Sequence, residues 1–207
     1  MCHAREEPTP VPYPEAFEVS FESNITVSKP DQGPFPINGY MWYDWASRQQ
    51  RVDHGGGNYE CMKFYHSDQP CSLYFTPEGM YRVLSDPLPK GQPKCCLDMP
   101  EIHMSPPDWA QGTPATYDGL IRDWYSGKVA QYFSFNDAAA EGSEPHYYEQ
   151  MPSQSEFGGY PLVFTFPVAD GVQDYHFKPE TLVEGTPDPT VFQLPDGCVN
   201  VACPVEA

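Results

Sequence analysis

A chain of 207 residues carrying a formal charge of −18, with only 11 Lys and Arg, is not built to grip phosphate, so nucleic acid is excluded as a partner and an anionic membrane surface is disfavoured. The length supports one domain with a real core. With 40% apolar and 14% aromatic residues, that core leans on Phe, Tyr and Trp, and 25 prolines spread end to end argue against a helical protein.

In chain order, residues 1–15 are rich in Pro and Glu and read as a flexible arm without regular structure, leaving 16–207 as a single domain. Phe17, Val19 and Phe21 alternate with polar residues, the pattern of a half-buried strand. A Pro/Gly loop over 29–36 precedes a very aromatic strand containing Tyr40, Trp42, Tyr43 and Trp45, and residues 48–53 continue it as a hairpin. Further strands are expected over 59–65, 71–75 and 80–84, then an extended stretch over 95–103 and a bend at Pro106-Pro107-Asp108-Trp109. Later strands fall over 118–125, 129–135, 147–151, 161–166 and 175–177, and residues 136–142 are the one short helix-compatible patch. Short strands separated by turn signals predict a mainly β fold, an antiparallel sheet that curls into a sandwich or open barrel with little helix.

Seven cysteines occur, none in the C-x-x-C spacing of a zinc site, and six of them (Cys61, Cys71, Cys95, Cys96, Cys198 and Cys203) suffice for three disulfides, with Cys2 left over. Their connectivity is open at this level. Asn24-Ile25-Thr26 is an N-glycosylation sequon, and with the cysteines it points to an oxidising compartment, secreted, lysosomal or otherwise luminal. Residues 1–30 hold no apolar run of signal-peptide length, so either the chain is already processed or the compartment is a different one. No stretch approaches the roughly 18 consecutive apolar residues of a membrane helix.

Strand parity gathers large apolar groups on common faces: Phe133 with Phe135, Phe164 with Phe166, Leu73 with Phe75, Tyr81 with Val83, and Met62 with Phe64. This describes either an ordinary core or a sheet curved around an apolar cavity, whose lining by parity would be Phe64, Phe75, Tyr81, Phe133, Phe164 and Phe166. Catalytic signatures are missing: there is no G-x-S-x-G, H-E-x-x-H, P-loop or EF-hand loop. His66-Ser67-Asp68 has triad residue types but neighbours in sequence cannot adopt triad geometry. Asp98, Glu101 and His103 form one weak metal candidate, and Asp44, Asp53 and His54 another; calcium is compatible with the charge but no loop spacing marks it. The expectation is a protein without enzymatic activity.

At the C-terminus, Asp188-Pro189 leads through Val191-Phe192 to Pro195 and Cys198, with Cys203 beyond. Prolines at 189 and 195 predict a segment that is neither helix nor central strand, an extended plug that inserts Phe192 and is latched by Cys198. This tail resembles the C-terminus of ependymin-related proteins, as do Cys71-Ser72-Leu73-Tyr74-Phe75 running into Gly79-Met80-Tyr81-Arg82-Val83, the Cys95-Cys96 stretch, the Pro107-Asp108-Trp109 bend, and the run from Tyr43-Asp44 to Arg51-Val52-Asp53. The resemblance implies a secreted or luminal glycoprotein whose antiparallel sheets stack into a LolA-like half-barrel with a hydrophobic pocket, a lipid or other apolar ligand, a link to calcium, and dimerisation. It also implies pairing of Cys71 with Cys203, of Cys198 with Cys95 or Cys96, and of Cys61 with the remaining one of that pair. The doubled cysteine, Cys61, and the acidic, proline-rich composition depart from the family pattern. A structural accessory subunit of a larger assembly, with the aromatic strand and proline-rich arm making protein contacts, is the rival expectation.

Overall fold

The computed structural model describes residues 7–27, 37–55, 61, 69–84, 93–112, 115–135, 146–152, 155–168 and 171–203. Phe64, His66-Ser67-Asp68, the patch over 136–142 and Cys2 lie outside the described residues, and of the expected strand over 59–65 only Cys61 is described, where the chain is helical instead of extended.

Thirteen strands form among the described residues: β1 (Ala16–Val27), β2 (Ile37–Asp44), β3 (Gln49–His54), β4 (Cys71–Thr76), β5 (Gly79–Leu84), β6 (Cys95–Met99), β7 (Ala115–Arg122), β8 (Val129–Phe135), β9 (His146–Gln150), β10 (Pro161–Val168), β11 (Gly171–Phe177), β12 (Val183–Glu184) and β13 (Val199–Ala202). The expected mainly β, antiparallel, disulfide-held fold with little helix is what these strands build. It is a single continuous sheet in the order β13-β6-β5-β4-β3-β2-β1-β11-β10-β9-β8-β7, with β12 beside β1 and only β13–β6 parallel. The end strands β7 and β13 do not pair with each other, so the sheet is not closed into a barrel. Helix among the described residues amounts to a single turn, α1 (Trp109–Gly112), the helical residue Cys61, and 3-10 turns at Pro179–Thr181 and Pro189–Phe192.

The alternation expected from Phe17 to Phe21 sets the inner face. Phe17, Val19 and Phe21 are buried and face Tyr43, Met41 and Gly39 across β2. Leu73 and Met80 extend the same cluster on one side, Tyr175 and Phe177 on the other. The curl is visible in one triplet. Phe21 contacts His54 on β3 and Tyr175 on β11, and those two rings are themselves 6.0 Å apart. In a flat sheet their strands would be separated by three spacings, about 14 Å. Gly39 permits the crossing: a Cβ there would meet the Phe21 ring at 2.1 Å and the Asp53 carbonyl oxygen at 2.7 Å.

An open sheet leaves its edge exposed, and at β6 the chain covers it covalently. Successive side chains of a strand point to opposite faces. Cys95 therefore binds Cys198 on the outer side, against Tyr74, Tyr81 and Val83, while Cys96 binds Cys203 on the inner side, against Leu84 and Cys71. Between the two bonds β13 lies along β6, so the tail wraps the edge. The third disulfide joins Cys61 to Cys71. This corrects the family-based pairing of Cys71 with Cys203 and of Cys61 with one of the doubled cysteines; Cys198 pairs with Cys95, one of its two expected partners. Cys61, Cys71, Cys96 and Cys203 all meet in one cluster, and within it the Cα atoms of Cys61 and Cys71 lie 5.7 Å apart and those of Cys96 and Cys203 5.1 Å apart, both at bonding separation. The tail itself departs from a fully extended plug. Pro189–Phe192 makes a 3-10 turn, with Pro189 at its first position and Asp188 accepting from Thr190 N, and Phe192 is buried at its end.

Inside the curl, beside this edge, the Arg82 guanidinium pairs with Asp98, both almost fully buried. Removing one partner of such a pair strands the other, so Asp98→Ala should cost about 3–5 kcal/mol in urea unfolding, whereas Asp53→Ala, whose Arg51 partner is part-exposed, should cost about 1 kcal/mol or less.

The two tail disulfides close nearly the same loop, 103 and 107 residues. With either in place the other closes only a short ring. Replacing one pair by serines should therefore lower stability by about 2 kcal/mol and replacing both pairs by about 7 kcal/mol, more than the sum of the single losses, read as urea midpoints at constant slope.

Candidate functional site

The half of the inner face formed by β8, β9 and β10 carries an aromatic surface: Phe133 and Phe135, Tyr148 opposite Phe133, and Phe164 opposite Tyr148. These strands deliver their rings by parity, as the alternation predicts. The surface is roofed by chain that belongs to no strand. Residues 7–15 cross it with Tyr13, and residues 104–112 bring Trp109 on α1. The Trp109 ring stands 5.2 to 5.5 Å from those of Phe135, Tyr148 and Phe164, and Tyr13 lies 6.0 Å from Tyr148 and 6.2 Å from Trp109. The arrangement is edge-to-face or tilted throughout, the geometry aromatic quadrupoles prefer.

The two straps hold each other. Tyr13 N donates to Pro107 O at 2.9 Å and Gln111 Nε2 to Pro10 O at 3.0 Å. They are attached to the sheet at their base, where Trp45 N donates to Glu15 O and the Tyr43 hydroxyl to Ser105 O, and at their far end, where Val11 N donates to Gln150 Oε1 and Gln150 Nε2 to Val11 O. Burial drives the hydroxyls of Tyr13 and Tyr148 above the ordinary phenol range, so both stay neutral donors within the apolar layer. The chemistry available is apolar contact plus a few neutral hydrogen bonds.

Of the residues proposed from parity to line a cavity, the structure brings Phe133 and Phe164 together here. Phe75 lies on the same face at β4, packed against the central cluster. Tyr81 lies on the opposite face, under the tail with Leu97 and Leu194. The reason is register: Phe75 pairs with Met80, so its own face continues through Met80 and Arg82, not Tyr81. Phe166 takes its place in β10 opposite Gln173, and Asn24 in β1 opposite Asp174. Tyr13, Trp109 and Tyr148 were not singled out from sequence. The signals were present: a tyrosine set between Pro12 and Pro14 is held extended, and a tryptophan just after Pro106-Pro107-Asp108 starts a turn whose ring must find cover.

The metal candidates do not converge. Asp98 is taken by Arg82, and His103 Nδ1 lies 3.3 Å from the Thr76 carbonyl oxygen. Asp44 caps its own turn through Ala46 N and Ser47 Oγ, Asp53 pairs with Arg51, and His54 points to the inner face while Asp53 takes the outer. Among the described residues no three His, Cys, Asp or Glu side chains gather as a metal site. Open clefts lie elsewhere: one of ≈ 320 Å³ between Arg51, Tyr74, Lys94 and Pro195, and one of ≈ 290 Å³ between Trp45, Arg48, Thr76 and His103. Neither touches the roofed aromatic surface.

No protein-family model matches the chain, and no curated protein matches it. Among solved structures it is similar to an uncharacterized conserved protein from Thermus thermophilus, with a TM-score of 0.53 and 11% identity over 90% of each chain. That likeness concerns the fold alone. Three disulfides fit an oxidising extracellular or luminal environment, and no helix among the described residues is long and apolar enough to cross a membrane.

Gln150 fastens the outer end of the straps from within the sheet, also donating to Gly159 O. Gln150→Ala should raise hydrogen exchange of the Val11 and Tyr13 amides about tenfold while the β1 and β11 amides keep their protection, measured site by site by NMR.

Proposed function

We propose that this protein is a non-enzymatic binder of an apolar small molecule, such as a fatty acyl chain, in an extracellular or luminal space. The ligand lies between the aromatic surface of β8–β10 and the straps 7–15 and 104–112. The observation that supports this best is the nature of the roof: the aromatic face is covered by two irregular segments fastened at their ends, and the rings of Tyr13 and Trp109 fill the space an apolar ligand would take. A roof of this kind can lift without breaking any strand pairing. The resemblance of the tail to ependymin-related proteins agrees with the same reading, and glycosylation at Asn24 would follow from it.

Burial of apolar area contributes about 25 cal/mol per Å², so an acyl chain that buries some 300 Å² of its own surface and about as much of ring and aliphatic surface gains about 15 kcal/mol before ordering costs of several kcal/mol. Micromolar affinity is within that range. The experiment is titration with a fluorescent fatty acid. The intact protein should saturate at micromolar concentration, and Phe164→Ala should weaken binding about tenfold with its circular dichroism unchanged. Absence of saturable binding to the folded wild type would sink the proposal.

A second reading, a subunit of a larger assembly, is favoured by one observation. Leu120, Trp124 and Val129 are exposed on the β7–β8 hairpin, and β7 is an end strand of the sheet. Native mass spectrometry separates the two readings, because a carrier brings an adduct of lipid mass and a subunit brings a stoichiometric protein partner.

A further inference from the structure

The β7–β8 hairpin does not end in the plane of the sheet. Its turn, residues 123–128, folds back over the outer face. The Trp124 and Tyr125 rings lie 5.3 and 4.7 Å from the imidazole of His176 on β11, and the Tyr125 hydroxyl donates to Glu22 on β1, four ladders away from β8. Asp123 shapes the turn, its carboxylate accepting from Ser126 N at 2.6 Å and its carbonyl from Gly127 N at 2.9 Å. Lys128 bridges to Glu180.

Beneath this turn lie two buried titratable side chains with unpartnered polar atoms. His176 is 1% exposed and neither ring nitrogen has a hydrogen-bond partner among the described residues; Glu149 is 7% exposed and its Oε2 has none there either. Both flank Val163, which pairs with Glu149 on one side and His176 on the other, so they stand on the same face two strands apart. The groups facing them are Asp123 and Tyr125 from the turn, Asp174 from β11, Glu22 from β1 with its partner Lys178, and Tyr132 from β8. Thr165 of β10 adds a neutral hydroxyl, spent on Asp174. These acids do not gather around a cation. They instead make a dry, acidic floor in which any further charge is costly.

We propose that Glu149 and His176 are a proton-set latch: the 123–128 turn lies closed over the outer face only while both are neutral, and charging either one loosens it.

Burial, reinforced by the charges of Asp123 and Asp174, pushes Glu149 up to about 7. Opening the turn hydrates the carboxyl and returns it toward its ordinary value, so closure gains from the neutral acid at low pH and loses that gain as pH rises to about 7. His176 is pushed down by burial, against the opposing pull of Asp174, Asp123 and Glu22. Opening lets it take a proton, so closure loses ground as pH falls below the ordinary histidine range. The two titrations have opposite sign and overlap between the ordinary carboxylate and histidine ranges, so they largely offset there, and in the intact protein the net loss of closure appears as pH rises past the histidine range toward 7.

The test is hydrogen exchange of the peptide covering 123–128 from pH 4.5 to pH 8, corrected for the intrinsic exchange rate. The wild type should lose protection about threefold between pH 5.5 and pH 8 while the two titrations offset on the acid side. His176→Gln should leave the carboxyl unopposed, with protection falling continuously from pH 4.5 and about tenfold between pH 6 and pH 8. Glu149→Gln should abolish the alkaline fall and unmask a loss of protection as pH drops below the ordinary histidine range. A flat wild-type profile overturns the latch even if a variant fails to fold. So does a pair of folded variants whose profiles both match that of the wild type.

Discussion

A sheet that never closes has two long faces and two edges, and everything outside the strands in this protein serves to cover them. Twelve strands in one ladder pair their backbone donors and acceptors with each other, but the curl buries only the middle of the inner face by itself. Phe21 reaches His54 and Tyr175 because Gly39 lets the sheet bend there. Away from that bend, cover must come from other chain: straps over the aromatic half, the tail over the outer side of β3 to β6, the hairpin turn over β11. Cover made from irregular chain buries apolar area with few backbone hydrogen bonds, so it opens at lower cost than a strand leaves its ladder.

The three covers are fastened in chemically different ways, and this ranks how readily each moves. The tail is covalent, held by Cys95 and Cys96 on opposite faces of one strand, and does not lift in an oxidising environment. The straps rest on rings and on the reciprocal Val11–Gln150 hydrogen bonds, so they respond to whatever competes for apolar contact. The hairpin turn rests on buried titratable groups, so it responds to protons.

What was legible in the sequence follows from which interactions are local. Alternation along 17–21, 129–135 and 161–166 reports strands because parity needs only neighbours in the chain. The dependence on aromatic packing was legible for the same reason. Register was not: nothing near Tyr81 tells that it meets Tyr74 rather than Phe75, and that single step moves it to the other face. The disulfides divide in the same way. That adjacent cysteines in a strand diverge is a local consequence, but the cluster in which Cys61, Cys71, Cys96 and Cys203 meet depends on three strands and a tail distant in sequence. The roles of Tyr13, in the arm, and of Trp109, read only as part of a bend, were not legible because neither belongs to a periodic segment, and a strap acquires its role from the surface beneath it.

The acidic composition acquires a different meaning once the charges are placed. A net charge of −18 suggests mere solvation, and for exposed carboxylates that is sufficient. Asp98, Asp123 and Glu149 are not exposed, and each is accommodated in its own way: Asp98 by a buried arginine, Asp123 by the amides of its own turn, Glu149 by burial, reinforced by neighbouring acids, that favours its neutral form. The first two arrangements spend the carboxylate on fixed donors and so fix structure. The third stabilises the protonated group and so ties structure to pH. A chain with many carboxylates and few cations has limited means to neutralise one that becomes buried, and binding a proton is the means that needs no partner. The outer face near β9 and β11 is where this protein uses it.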